Sequence, residues 1–298
     1  MLIAMKSKSL LFAILTVLYL GIGGWMTSQI IVHTLDYKNL KETYTVALNY
    51  EKRLLDVDEW LDKSLGVQKK ADVLNVFQDS VKHYALAKKV ALWFIILTGI
   101  YGIISFLLFN KWKTGDYKLI TGSLLAIALL CLIAGLCTPM LEIAAYEKDM
   151  VIPINIDTGL LGMKLNHTAE FSGEMYFYYQ CKSIIELIQL LLTNGNFLVG
   201  IAILLFSLIF PIIKLGLSAY LIINGSNSSG IHKIVQYIGK WSMADVFVVA
   251  IFLGFLAFRN MQTGIQTDSN TLLGLYFFLA YCIISISSTY FIKNKAIS

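Results

Sequence analysis

The chain has 298 residues, of which 57% are hydrophobic and only 14% charged, with a formal net charge of +5. Several apolar runs approach the ~20 residues needed to cross ~30 Å of hydrocarbon, so the composition excludes a large soluble enzyme and indicates a polytopic membrane protein. The positive charge sits at loop ends, as in membrane proteins, and gives no sign of nucleic-acid binding.

Lys6 and Lys8 precede an apolar run ending at Val32. The run is too long for a signal peptide and is followed by no small-residue cleavage site, so residues 9–32 are expected to be a first, uncleaved spanning helix with its N-terminus inside. From residue 33 to 89 the composition turns to mixed charge, with Leu40, Tyr44, Leu48, Leu55, Trp60, Leu61, Val73, Leu74, Phe77, Val81 and Tyr84 at helical spacings. Gly66 marks one turn, which predicts an extracytoplasmic helical hairpin. Its role is open between a spacer packed on itself and a docking arm, and the acidic group Asp56, Asp58, Glu59 and Asp62 reads as a solvated face. Residues 90–109 form a second span, and these two with the hairpin make an N-terminal unit, 1–110.

The remainder, 111–298, reads as a module of four spans at 119–138, 196–223, 241–258 and 271–292. Lysine-rich loops place both termini on the same, cytoplasmic, side of six spans. Between the third and fourth spans, residues 139–181 are expected outside, where short alternating runs at 151–156 and 163–171 predict a small extracytoplasmic β-sheet. Residues 182–194 carry Lys182, Glu186, Gln189 and Thr193 on one narrow stripe of a helix too short to span, expected at the interface with Lys182 and Glu186 paired. The fold class is therefore an all-α polytopic membrane protein of six transmembrane helices, with a helical hairpin and a small sheet outside.

Two charges fall inside the apolar segments: Lys214 and Asp245. Each costs ~2.5–3.5 kcal/mol or more at membrane depth, so they are expected to face the bundle interior and to pair. Pro211 frees the carbonyl of Ser207, kinking the helix; Ser207 and Lys214 are two turns apart, and Ser242 and Asp245 share a face. These groups predict one intramembrane polar spot, to which Ser285, Ser287 and Ser288 near the end of the last span are possible additions. The alternative is a snorkelling lysine with serines bonded back to their own helices. The four cysteines, Cys131, Cys137, Cys181 and Cys282, make no C-x-x-C pair and read as small hydrophobes; no metal site and no cofactor is expected. His167 reads as a surface residue.

The string Trp241-Ser242-Met243-Ala244-Asp245-Val246-Phe247, together with Pro211-Ile212-Ile213-Lys214 and Gln180-Cys181-Lys182-Ser183-Ile184, resembles the paraquat-inducible protein A family of bacterial inner-membrane proteins, LetA-like lipid-transport proteins among them. The resemblance covers roughly residues 115 to 292. It implies a bacterial inner-membrane location, a phospholipid or other membrane lipid as cargo, and a periplasmic MCE-domain protein as partner. It also implies a polar or proton pathway at Ser207, Lys214, Ser242 and Asp245. Many members carry two modules, each preceded by zinc-ribbon cysteines, whereas this chain has one module and no ribbon. The reading is a lipid-transport subunit; the alternative is a non-transporting scaffold that orients a periplasmic partner. An enzyme is not expected: Ser207 and Lys214 lie about 10 Å apart along one helix, too far for a hydrolytic dyad.

Overall fold

The computed structural model describes residues 2–61, 63–112, 117–158, 163–224 and 266–295. Nine helices and three strands follow along these residues: α1 (Leu2–Ala47), α2 (Tyr50–Leu54), α3 (Val57–Leu61), α4 (Lys63–Trp112), α5 (Tyr117–Cys137), β1 (Leu141–Thr158), β2 (Met163–Lys182), α6 (Ile184–Thr193), α7 (Phe197–Ile203), α8 (Phe210–Asn224), β3 (Gln266–Thr271) and α9 (Leu273–Lys295). A π-helical segment, Leu204–Ile209, joins α7 to α8. Among the described residues, four helices are long and apolar enough to cross a membrane: those within Leu10–Ala47, Ala71–Leu108, Leu119–Cys137 and Phe197–Ile222. They match four of the six expected spans. The span expected at 241–258 lies outside the described residues, and the sixth corresponds to α9, whose apolar part is the shorter stretch Leu273–Ser288.

α1 and α4 pack antiparallel. Within the apolar zone the contact is built from polar rungs: Tyr19 and Tyr101 stack at 4.1 Å between centroids, Thr16 Oγ1 meets Tyr101 Oη at 3.0 Å, and Tyr19 Oη meets Thr98 Oγ1 at 3.0 Å. Such hydrogen bonds hold helices together in hydrocarbon, where lipid tails remove the hydrophobic driving force. On the opposite sides of the same helices Ile14, Val17, Trp25, Leu92, Ile103 and Phe106 point outward and are exposed, the pattern of lipid-facing surfaces.

Beyond the apolar zone both helices run on without a break, and the contact turns aromatic, with Tyr37 on Tyr84 at 4.7 Å and Tyr44 against Phe77 at 5.0 Å. The reversal of direction does not fall at Gly66, which lies inside α4. It is made by α2 and α3, because Asn49 caps α2 by accepting the Glu51 N–H at 2.9 Å and a buried ion pair closes the bend. That pair is Arg53 with Glu59, Nε to Oε1 at 2.7 Å, each side chain only 1% exposed. Glu59 is thus no part of a solvated face: it balances a guanidinium that also donates to the carbonyls of Ser172 (2.9 Å) and Glu174 (3.0 Å) on β2. Leu55, expected in the hairpin core, is 83% exposed.

The sheet is antiparallel with order β2-β1-β3. Its strands are far longer than the two short runs expected, because β1 and β2 pair from Leu141↔Lys182 to Thr158↔Met163. Two irregularities bend the pair: Phe177 is extra opposite Ala145 and Tyr146, and Asp149 adopts φ 51° and accepts the Gly173 N–H at 2.8 Å, with Gly173 itself at φ 89°. β3, a polar segment that no alternating pattern marks as a strand, adds along Leu141–Tyr146. The strands grow directly out of helices. Met140 N–H donates to Lys182 O, Leu272 N–H to Met140 O and Gly274 N–H to Pro139 O, at 3.1, 2.9 and 3.1 Å, so the sheet is seated on the ends of α5 and α9.

Candidate functional site

The fourth span is irregular at the place where proline requires it. Pro211 has no N–H for the carbonyl of Ser207, and its ring would strike that carbonyl in a regular α-helix. The chain widens instead: the turn before it is π-helical, and the Phe210 N–H donates five residues back, to Leu205 O. π-turns of this kind leave backbone groups under-used and gather at functional positions. Ser207, in the middle of the widened turn, is fully buried, and its Oγ has no hydrogen-bond partner among the described residues. It therefore does not bond back to its own helix.

From Pro211 the α8 face continues through Lys214, 4% exposed, and Ser218, 1% exposed, at intervals of three and four. This is one inward stripe. Lys214 is thus turned into the protein and away from lipid, and Ser218, which the sequence reading passed over, belongs to the same stripe by the same spacing. No carboxylate among the described residues lies within ion-pair distance of Lys214. Its expected partner Asp245, and Ser242 with it, lie outside the described residues. On α9, Ser285 and Ser288 are buried at 3% and 2%, and Ser288 Oγ donates to Ser285 O at 2.9 Å. Ser287 lies on the outer side and donates to Ile283 O at 2.9 Å, so it takes no part in an interior polar spot.

Against the next face of α8 lies an apolar cavity of about 780 Å³, walled by α1, α5 and α8. Leu20, Leu129, Leu132, Leu215 and Ile222 contribute to its lining, and Thr16 is its one hydroxyl side chain. The Thr16 hydroxyl is already occupied, donating to Phe12 O at 2.9 Å and meeting Tyr101. The volume is in the range of small-molecule sites, ~300–1,000 Å³, and the walls offer nothing to water.

Residues 171–297 match the family model of the paraquat-inducible protein A domain. No curated protein and no solved structure matches the chain. The domain starts within β2 at Phe171 and takes in α6, the irregular span, β3 and α9. It thus contains Ser207, Pro211, Lys214, Ser285 and the expected Ser242 and Asp245, whereas two of the three cavity walls, α1 and α5, lie before it.

Lys182 and Glu186 also lie in the domain, but they do not pair with one another. Glu186 accepts from Lys38 Nζ on α1, while Lys182 Nζ is 3.7 Å from Glu42 of the same helix. The cause is a neighbouring buried charge: Lys38 is 5% exposed and requires a carboxylate that α1 only partly supplies, through Glu42 at 3.8 Å. Burial pushes the Glu186 pKa up, but the bond from Lys38, the Ser183 N–H and the nearby Lys182 together outweigh it, and the net shift is downward. One step further, Glu142 on β1, 3% exposed, accepts from Tyr37 Oη at 2.6 Å and pairs with Lys41 Nζ at 2.8 Å. Burial, reinforced by the charge of Glu142, pushes the Cys181 thiol up to about 12, which leaves it an inert packing group. Lys38, Lys41, Glu42 and Glu142 were not singled out from the sequence; the i, i+4 spacing of Lys38 and Glu42 was the only signal of them.

Proposed function

We propose that the chain is an inner-membrane subunit of a bacterial lipid transport system, which passes lipid to or from a periplasmic MCE-domain carrier. Both termini are cytoplasmic in this reading, and the protein is a transporter and not an enzyme. The observation that carries the proposal is the apolar cavity beside the Lys214 stripe. An acyl chain fits a dry cleft open between spanning helices, and a buried ammonium one helix face away suits a lipid headgroup phosphate or a proton in transit. The paraquat-inducible protein A domain supports the same reading. The resemblance to that family supplies the MCE partner and the proton route through Lys214, Asp245, Ser207 and Ser242. The π-turn between α7 and α8 adds the means, since a helix already widened before Pro211 can shift its two halves at low cost.

The test is a reconstituted protein in vesicles containing a photo-crosslinking phospholipid. Crosslinks are expected on peptides of α5 and α8, and Leu215→Trp, which fills the cavity, is expected to reduce both crosslinking and lipid flux by about tenfold, a loss of ~1.4 kcal/mol of binding. Lys214→Met should leave crosslinking in place while removing flux. If Leu215→Trp and Lys214→Met both transport as the unaltered protein does, the reading fails.

The second reading, a non-transporting scaffold, draws on the fastening of the N-terminal arm and its bend to α6 by Lys38 and to the sheet by Lys41 and Arg53. Flux that depends on pH in vesicles containing this chain alone excludes it.

A further inference from the structure

Far from the α8 stripe, three ligating side chains converge where α1 and α4 leave their apolar stretches. His33 and Asp36 are one turn apart on α1, and His83 faces them from α4. The two imidazoles present the same atom to each other, Nδ1 to Nδ1, at 3.3 Å. His83 Nδ1 is also 3.4 Å from Asp36 Oδ2, and the three ligand atoms all lie within 4.8 Å of one another. The rings are tilted by 50° with centroids 5.5 Å apart, so the contact is a convergence of nitrogens and not a stack.

Hydrogen bonding accounts poorly for this arrangement. One ring nitrogen carries at most one proton, yet His83 Nδ1 has two neighbours, and both are longer than a good N–H···O or N–H···N bond of ~2.9–3.0 Å. The same distances are those of a coordination shell. With metal–ligand bonds of about 2.05 Å, the edges of a tetrahedron are about 3.3 Å, which two of the three edges here already match. The third edge closes by rotation of Asp36, whose side chain is 43% exposed and free to turn.

We infer that His33, Asp36 and His83 bind a divalent transition-metal ion of the zinc class. Two imidazoles and one carboxylate suit zinc and its first-row neighbours, while calcium and magnesium require oxygen-rich sets. Coordination through both Nδ1 atoms leaves each Nε2 protonated. Three protein ligands leave a position for water, which reaches the site because His83 is 34% exposed. The ion joins α1 to α4 one turn from the Tyr37–Tyr84 stack, at the root of the arm, and binding therefore stiffens the arm against the spans.

The test uses the full-length, tag-free protein in detergent after chelator treatment. Zn²⁺ is titrated in competition with a chromophoric chelator, bound metal is counted by mass spectrometry, and thermal unfolding is followed with and without Zn²⁺. One Zn²⁺ per chain is expected, with a rise in Tm that Ca²⁺ does not produce. The His33→Gln/His83→Gln double variant should lose the rise and bind about a hundredfold more weakly or not at all. Asp36→Asn, which keeps shape and changes only charge at a half-exposed position, should weaken binding about tenfold. Absence of stoichiometric Zn²⁺ in the unaltered protein overturns the inference, as does equal binding or an equal Tm rise in either variant.

Discussion

Lys38 on α1 and Glu186 on α6 are joined by a direct charge-assisted hydrogen bond, and through it the N-terminal arm is fastened to the first helix after the sheet. The same carboxylate completes a capping box: Glu186 Oε2 accepts the Ser183 N–H at 3.0 Å, and the Glu186 N–H donates to Ser183 Oγ at 3.3 Å. One side chain thus finishes a helix terminus, which favours negative charge, and neutralises a buried ammonium.

Glu186→Gln keeps the shape and removes the charge, leaving Lys38 with the longer contact to Glu42. The expected cost is about 1.5–3 kcal/mol, the range for hydrogen bonds to charged groups. The pH dependence follows from the sign of the shift. The folded pKa of Glu186 is lowered, so its contribution is fully present above the ordinary carboxylate range and is lost as pH falls through the folded value. Thermal unfolding in detergent should show the gap between wild type and Glu186→Gln at neutral pH, and the two should converge on acidification. A gap that widens in acid contradicts the assignment.

Arg53 makes four hydrogen bonds at the bend between α2 and α3: two to Glu59 close the bend, and two to the Glu174 and Ser172 carbonyls hold it onto β2. Removing one member of a buried pair strands the other, at about 3–5 kcal/mol, whereas replacing both by apolar groups is often nearly neutral. Arg53→Met should therefore destabilise strongly and open residues 48–61 to limited proteolysis. Arg53→Met with Glu59→Leu should recover much of the loss, though not the two bonds to the Ser172 and Glu174 carbonyls. Equal protease resistance in the single variant and the wild type disproves the lock.

What the sequence made legible follows the strength of the physical signal. Long apolar runs marked the spans of α1, α4, α5 and α7–α8, because bilayer thickness imposes a length that no packing detail alters. Lys214 was readable as buried, since a charge in such a run must face inward, and the polar stripe of Lys182, Glu186, Gln189 and Thr193 marked the short helix α6. The turn at Gly66 was misplaced because glycine is a weak breaker beside a buried ion pair that only tertiary contact with β2 can form. β3 was missed for a related reason: Gln266–Thr271 has no alternation, and its strand form comes from the free edge of β1. The Lys182–Glu186 pair failed because local spacing says nothing of Lys38, distant in sequence and buried beside it. His33, Asp36 and His83 escaped notice because one of the three stands on another helix.

Gly135 on α5 sets how closely α9 can approach, and with it the footing of the sheet. A Cβ built there would lie 2.7 Å from the backbone nitrogen of Phe278 and 2.8 Å from its Cα, so no side-chain rotation relieves the clash and the helices must separate. Close approach of this kind depends on small residues in membrane helices. Gly135→Ala is expected to cost about 1–3 kcal/mol, the usual penalty of overpacking. On α4, by contrast, a Cβ at Gly102 meets nothing within 4 Å, so Gly102→Ala should be neutral or gain up to ~1 kcal/mol of helix propensity. The two substitutions have the same chemistry in the same kind of helix, and Tm in detergent separates them. Because α9 leads out of β3, the separation forced by Gly135→Ala should also loosen the β1–β3 pairing, seen as faster amide exchange at Ala144 and Asp268. Similar Tm values for the two variants, or exchange unchanged at that edge, would show that α5 and α9 do not carry the sheet.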